Sequence, residues 1–246
     1  MNRLIVVVLS GMILAGCGTT SDRAKSTESA RVHTELAGLY YERAQYGVAL
    51  EETALALEAD PNYSQAYGVR GLVHMALRED KQAEEDFRKG LRLDGNNAGM
   101  NNNFGWFLCQ RGREKESIPH FMSALKDPLY RTPEVAYLNA GLCSRKAGHI
   151  QDAEEFLLKS LQNRPDMPQA LIALAGLNFD KGEYGAAKQY LARFSDHNRN
   201  LTADQLWLAV RIHRKLRDRN SEASYGLQLR KRYPDAKETQ MLMRGE

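Results

Sequence analysis

Cysteine is scarce in this chain, three in 246 residues, and proline is little commoner at seven. The first shortage excludes a disulfide-dense scaffold, and the second excludes a collagen-like or proline-rich chain. Neither sign of charge dominates: 34 Lys+Arg stand against 31 Asp+Glu. A net charge of +3 is too small to mark a nucleic-acid binder. No apolar run reaches the ~20 residues that a membrane-spanning helix needs. What is present, 43% hydrophobic and 26% charged residues, is the composition of an ordinary soluble globular protein of one or two domains.

The start of the chain departs from that average. Met1-Asn2-Arg3 is a short basic region, and Leu4 through Ala15 is apolar apart from Ser10 and Gly11. Such a segment fits a secretory signal peptide, residues 1–16, removed from the mature protein. Leu14-Ala15-Gly16-Cys17 resembles the lipobox of bacterial lipoproteins, whose small residues fit the peptidase cleft and whose thiol receives diacylglycerol. Cys17 is therefore the expected lipid-attachment residue. Position 18 is Gly and not the Asp that favours retention at the inner membrane, so the expected location is the outer membrane, facing the periplasm. Loss of Arg3 with the leader leaves 33 basic residues from the original 34, against 31 acidic, a balance of +2. Electrostatic attraction to lipid is then weak, and the acyl chains must do the holding. Residues 17–29 are small, polar and charged without apolar periodicity, and read as a lipidated N-terminus followed by a flexible tether.

From about residue 30 the chain repeats. Ala49, Ala83, Ser117, Ala153, Ala187 and Ala223 are separated by 34, 34, 36, 34 and 36 residues. A period near 34 is that of tetratricopeptide (TPR) helix-turn-helix repeats. Other positions agree: Tyr67, Gly71 and Phe87; Phe104, Gly105 and Phe121; Tyr137, Gly141 and Pro165. Small residues allow close helix approach, large ones fill the space between helices, and proline ends the second helix. The expected fold is all-α, a TPR superhelix of six repeats over 30–239 (about 30–63, 64–97, 98–133, 134–167, 168–203 and 204–237), with a tail at 240–246. Leu36, Tyr40, Phe87, Phe121 and Leu174 are expected in the inter-helix core. Turns are expected at Tyr46-Gly47, Arg111-Gly112-Arg113, Ala147-Gly148-His149, Lys181-Gly182-Glu183 and Asp218-Arg219-Asn220. The run Asp127 to Pro133 lengthens one connection, and Pro119 falls near the start of a second helix.

TPR arrays bind partners on the face lined by their first helices. That geometry selects Tyr41, Leu72, Met75, Asn102, Trp106, Leu138, Leu142, Arg145 and Phe179 as a groove unusually apolar for exposed surface. Asn101, Asn102, Asn103 and Asn139 suit either the backbone of an extended peptide or bonds that cap and join helices. Cys109 and Cys143 fall 34 residues apart on consecutive first helices, where a disulfide is favoured over two buried thiols. Neither has a second ligand at zinc-site spacing, so no metal and no cofactor are expected. The motifs H-E-x-x-H, G-x-S-x-G, the P-loop and paired C-x-x-C are missing from the sequence, and six histidines are scattered singly. Binding and not catalysis is therefore expected.

The segment Asn101-Asn102-Asn103-Phe104-Gly105-Trp106-Phe107-Leu108-Cys109-Gln110, with Asp127-Pro128-Leu129-Tyr130 and Asn139-Ala140-Gly141-Leu142-Cys143, resembles the central motif of the PilF/PilW family of type IV pilus biogenesis lipoproteins. The resemblance implies a pilotin: a monomeric outer-membrane lipoprotein that binds the pilus secretin and promotes its localisation and multimer assembly, hence pilus biogenesis and twitching motility. No nucleic-acid partner is implied. The alternative is a TPR lipoprotein that scaffolds cell-wall enzymes or outer-membrane assembly.

Overall fold

The structure, a computed structural model, describes residues 18–245, with side chains from residue 22 onward. The leader 1–16 and Cys17 lie outside the described residues. Two compact units divide the chain at Asp94 and Gly95. The first contains α1 (Gly18–Glu42), α2 (Tyr46–Ala59), α3 (Ser64–Ala76) and α4 (Asp80–Leu93). The second contains α5 (Ala98–Gln110), α6 (Glu114–Ala124), α7 (Pro133–Lys146), α8 (Ile150–Asn163), α9 (Pro168–Asp180), α10 (Tyr184–His197), α11 (Ala203–Lys215), α12 (Arg219–Arg232) and α13 (Lys237–Met243). Each odd helix up to α11 packs on the even helix that follows it, making six hairpins, and α13 closes on α11 and α12. The all-α repeat fold is as expected.

One backbone device makes all six hairpins. In the fourth, Gly148 takes φ +81°, its N–H bonds Arg145 O at 3.0 Å, and the His149 N–H reaches back to Ser144 O at 2.8 Å. This double bond satisfies carbonyls that the end of a helix leaves open. The same pair of bonds recurs around Ala44, Arg78, Gly112, Gly182 and Arg217. Glycine is therefore not obligatory there: Ala44, Arg78 and Arg217 hold φ of 56°, 64° and 57°. The first turn consequently centres on Ala44, and the expected turn residues Tyr46 and Gly47 instead open α2.

Packing between the paired helices follows a spacing of sixteen. Gly71 faces Phe87, Gly105 faces Phe121 and Gly141 faces Leu157; a Cβ on each glycine would lie 3.0, 2.8 and 2.7 Å from the facing side chain. The expected core residues Phe87, Phe121 and Leu174 are fully buried. The small residue four places after each N-cap is buried at Ala49, Ala83, Ser117, Ala153 and Ala187. The sixth repeat breaks the series. Its N-cap is Asp218, so the equivalent place is Glu222, while the expected Ala223 is exposed. Eight places after the cap, where the second to fifth hairpins carry Phe87, Phe121, Leu157 and Leu191, stands Gly226, and Leu242 of α13 lies 3.4 Å from where its Cβ would be.

Three further expectations are corrected. Residues 18–29 are not a loose tether but the first half of α1: Thr27 donates to Asp60 at 3.1 Å, and Ala30, which follows, is fully buried. Leu36 is exposed, because it lies on the face of α1 opposite the buried Ala30 and Ala37. Pro119 sits inside α6 and not in its first turn, which removes the bond an N–H there would give to the carbonyl of residue 115. The connection from Asp127 to Pro133 is irregular as expected, with Pro133 opening α7.

Candidate functional site

In the second unit the first helices lie side by side, α5 on α7, α7 on α9 and α9 on α11. Their shared surface contains most of the residues selected from sequence, in unequal roles. Trp106 is half-buried and packs on the cluster of Cys109, Phe121, Ala140 and Cys143. Leu142 is half-buried at the edge of the larger core. Leu138 is a correction: at 6% exposure it belongs to that core, beside Leu171 and Leu174, and offers nothing to a partner. Phe179, 8% exposed, is likewise core, under Arg211.

Asn102 is also buried, at 6%, and its amide oxygen accepts from Asn139 Nδ2 at 3.0 Å. This bond joins α5 to α7, so the pair uses its amides between helices. Asn101 donates to Gly95 O at 2.9 Å and meets His120 Nδ1 at 3.0 Å, fixing the start of α5. Asn103 and Asn139 remain half-buried on this surface. Arg145 does not offer a free charge. Its guanidinium lies over Gly176 and bonds Asp180 at 2.5 Å.

Cys109 and Cys143 form a disulfide with a Cα–Cα distance of 5.9 Å, linking α5 and α7. Ser117 Oγ lies 2.9 Å from Cys143 Sγ, and Lys146 Nζ donates to Cys109 O at 2.7 Å. The link belongs to the cluster on which Trp106 packs. In the Asp127-Pro128-Leu129-Tyr130 segment, Asp127 accepts the Leu129 N–H at 2.8 Å and closes the turn. Tyr130 packs against Ala98, Ala124 and Ala136, and burial raises its phenol pKa. Leu129 is left 84% exposed, held outward by the residues on either side.

In the first unit Tyr41, Leu72 and Met75 are half-buried. Tyr41 leans on Tyr46 with ring centroids 6.0 Å apart, and burial raises its pKa. A more open apolar surface escaped the sequence reading. Val32, Leu36 and Leu39 recur at helical spacing along one face of α1, and Val48 and Leu55 along α2; all five are exposed, Leu39 to 50%. The signal was there in the i, i+4, i+7 spacing, but spacing alone does not say whether a neighbour covers the stripe.

Deeper in the same unit, Asp86 is 5% exposed and takes two bonds from Arg70, 2.9 Å from Nε and 2.6 Å from Nη2. Burial of this acceptor is tolerated because the guanidinium fork matches it, and that bond raises the Arg70 pKa. His74 stands 3.6 Å from the same carboxylate and 2.5 Å from Glu79. Arg70 and Lys89 also flank the Tyr67 ring. The bonds of Arg70 to Asp86 hold α3 to α4. Among the described residues no cluster of His, Cys, Asp and Glu could hold a metal ion, and no helix is long and apolar enough to cross a membrane.

Comparison with known proteins agrees with this geometry. The tetratricopeptide-repeat family model matches residues 64–97. Type IV pilus assembly protein PilF of Pseudomonas aeruginosa is 32% identical over 244 residues, covering 97% of this chain and 96% of the relative. The crystal structure of PilW, described as a widely conserved type IV pilus biogenesis factor, superposes with a TM-score of 0.81 at 35% identity, covering 87% of this chain and 98% of that one. The structure from the functional characterisation of Pseudomonas aeruginosa pilF gives a TM-score of 0.84 at 31% identity, covering 90% and 100%.

Proposed function

Since this chain belongs to the PilF/PilW family of type IV pilus biogenesis proteins built of tetratricopeptide repeats, we propose that it is a pilotin: a lipoprotein that binds the pilus secretin and promotes its placement and multimer assembly in the outer membrane. The reading is supported above all by the exposed stripe of Val32, Leu36 and Leu39. Exposed leucines in register on a helix are costly to leave in water and suit an apolar partner segment. Leu129, and Trp106 over the disulfide, offer further apolar contacts in the second unit.

The mechanism is binding in two places at once. Acyl chains on Cys17 set the address at the outer membrane, facing the periplasm, while the repeat surface, acting as a monomer, selects the secretin. Joining the two raises the effective concentration of secretin at the membrane without a catalytic step. Pilus biogenesis and twitching motility depend on that placement.

The decisive experiment deletes the gene and follows the detergent-resistant secretin multimer and its membrane location. Complementation compares wild type, Cys17→Ala, and Leu36→Arg with Leu39→Arg, two exposed positions that leave the core untouched. Wild type should restore the multimer, and both variants should fail while accumulating as folded protein. An intact multimer in the deletion strain overturns the pilotin reading and favours a scaffold for cell-wall enzymes or outer-membrane assembly.

A further inference from the structure

The C-terminal ends of α9 and α11 and the start of α10 flank an open cleft of about 540 Å³, lined by Phe179, Asp180, Tyr184, Arg211, Arg214 and Lys215, with Gly245 at its edge. Its volume lies in the range of ligand sites, which runs from about 300 to 1,000 Å³. The charges around it are unequally employed. Arg214 bonds Glu222 at 2.7 Å, and Asp180 is taken by Arg145. Arg211 and Lys215 have no carboxylate partner among the described residues.

Arg211 is the more informative of the two. Its guanidinium lies over the Phe179 ring, Cζ 4.2 Å from the centroid, and the residue as a whole is half-buried. A guanidinium held over a ring face still carries N–H donors, and these form the fork that takes a carboxylate in two parallel bonds. Partial burial makes an anion worth more there than at an open surface. Lys215 adds a second positive charge, and Tyr184 gives the cleft a half-buried aromatic wall. Asp180 on the rim opposes a doubly charged anion such as phosphate more than a singly charged one.

From this arrangement we infer that the fifth and sixth repeats carry a second recognition site, for the C-terminal carboxylate of a peptide with an apolar last side chain. Arg211 grips the carboxylate, Lys215 supports it from the mouth, and Tyr184 packs on the adjoining side chain. The site uses none of the apolar residues of α1 or α2, so it stands whether or not those bind a secretin.

The test uses the full chain and a neutral-dye-labelled hexapeptide of uncharged side chains ending in Phe, as the free acid and as the C-terminal amide, read by fluorescence anisotropy. The acid should bind at least roughly tenfold more tightly than the amide. Arg211→Gln should weaken it by about the same factor, Arg211→Lys by less, and exposed Lys215→Gln by about threefold, with thermal midpoints recorded for each. Failure of both peptides to bind, equal binding of acid and amide, or indifference to Arg211→Gln and Lys215→Gln overturns the inference. So does displacement of the peptide by millimolar inorganic phosphate, or binding confined to phosphatidylglycerol vesicles, which would identify an anion or headgroup site. Binding seen only after removal of residues 244–246 would also overturn it, since the chain's own carboxylates would then be the natural occupant.

Discussion

Replacing Gly141 by alanine should destabilise the second unit, although alanine is the better helix former. A Cβ at 141 would lie 2.7 Å from Leu157 Cγ, 3.0 Å from its Cδ2 and 3.1 Å from the Ala153 carbonyl oxygen. Ordinary carbon contacts need about 3.5–4.0 Å, so the shortfall is about 1 Å. Leu157 is fully buried and the carbonyl belongs to α8, so relief requires α7 and α8 to move apart. Such overpacking costs about 1–3 kcal/mol, and the helix propensity of alanine returns about 1. The net loss is up to about 2 kcal/mol, or up to roughly 8 °C in thermal midpoint for a protein of this size. Differential scanning calorimetry of Gly71→Ala, Gly105→Ala and Gly141→Ala should rank the losses in that order, the last greatest. Gly38→Ala, in α1, has no atom within 4 Å and should gain stability, by up to about 1 kcal/mol. Pairing Gly141→Ala with Leu157→Ala should cost less than the sum of the single changes by about 1 kcal/mol or more. A stabilised Gly141→Ala, or strict additivity in the pair, would show that close approach does not set this glycine.

The Cys109–Cys143 disulfide closes a loop across a separation of 34 residues, for which chain entropy gives about 4 kcal/mol. Cys109→Ala with Cys143→Ala should therefore lower the thermal midpoint clearly, and added reductant should lower that of wild type but not of the variant. Asp218 is held down to about 2, first by the Ser221 backbone N–H and hydroxyl, then by Lys188 and His213. Its folded pKa lies below the ordinary carboxylate value of 3.8, so its contribution is present above pH 4 and is lost as pH falls from there toward 2. In urea titrations Asp218→Asn should accordingly differ from wild type at pH 6 and converge with it near pH 2. Removing Arg70 strands a buried Asp86 carboxylate; Arg70→Met should cost about 3 kcal/mol, and adding Asp86→Leu should recover much of it. Urea midpoints of the two single changes and the pair would decide this, and an undisturbed Arg70→Met would refute it.

The repeat period, the hairpins and most of the core were legible because the second to fourth hairpins each bury a glycine against a large residue at fixed spacing, and that size contrast is written in residue type. Gly105 and Phe121 could be paired by eye. Leu36 and Leu138 could not be sorted, because both are leucines at helical spacing. Leu138 has α8 and α9 beyond it, whereas nothing described covers the face of α1 that carries Leu36. Asn102 was legible as a polar residue facing the first-helix surface, but not as a group already satisfied by Asn139. Its partner sits 37 residues away, beyond any local pattern. Arg145 was legible as a charge on this surface but, for the same reason, not as one matched by Asp180 one repeat later. The helical start of α1 was obscured by polar composition. Arg31 bridging Glu28 and Glu35, and Thr27 reaching Asp60, supply there what apolar periodicity supplies elsewhere.

Gly226 and Leu242 set a limit on how this array can change in length. Repeat proteins commonly grow by duplicating a unit at an end, since each new unit finds the same surface its predecessor found. Here the last hairpin carries glycine where the second to fifth carry a bulky residue, and the notch is filled from α13, a single helix of seven residues. A copy of the final unit appended after residue 246 would meet α13 and not a bare repeat face. A copy inserted between α12 and α13 would bring a second notch with one leucine to fill it. Lengthening at this terminus therefore calls for two coordinated changes, a large residue restored at 226 and the closing helix carried outward. A unit duplicated from among the hairpins that keep the Gly–Phe or Gly–Leu match needs neither.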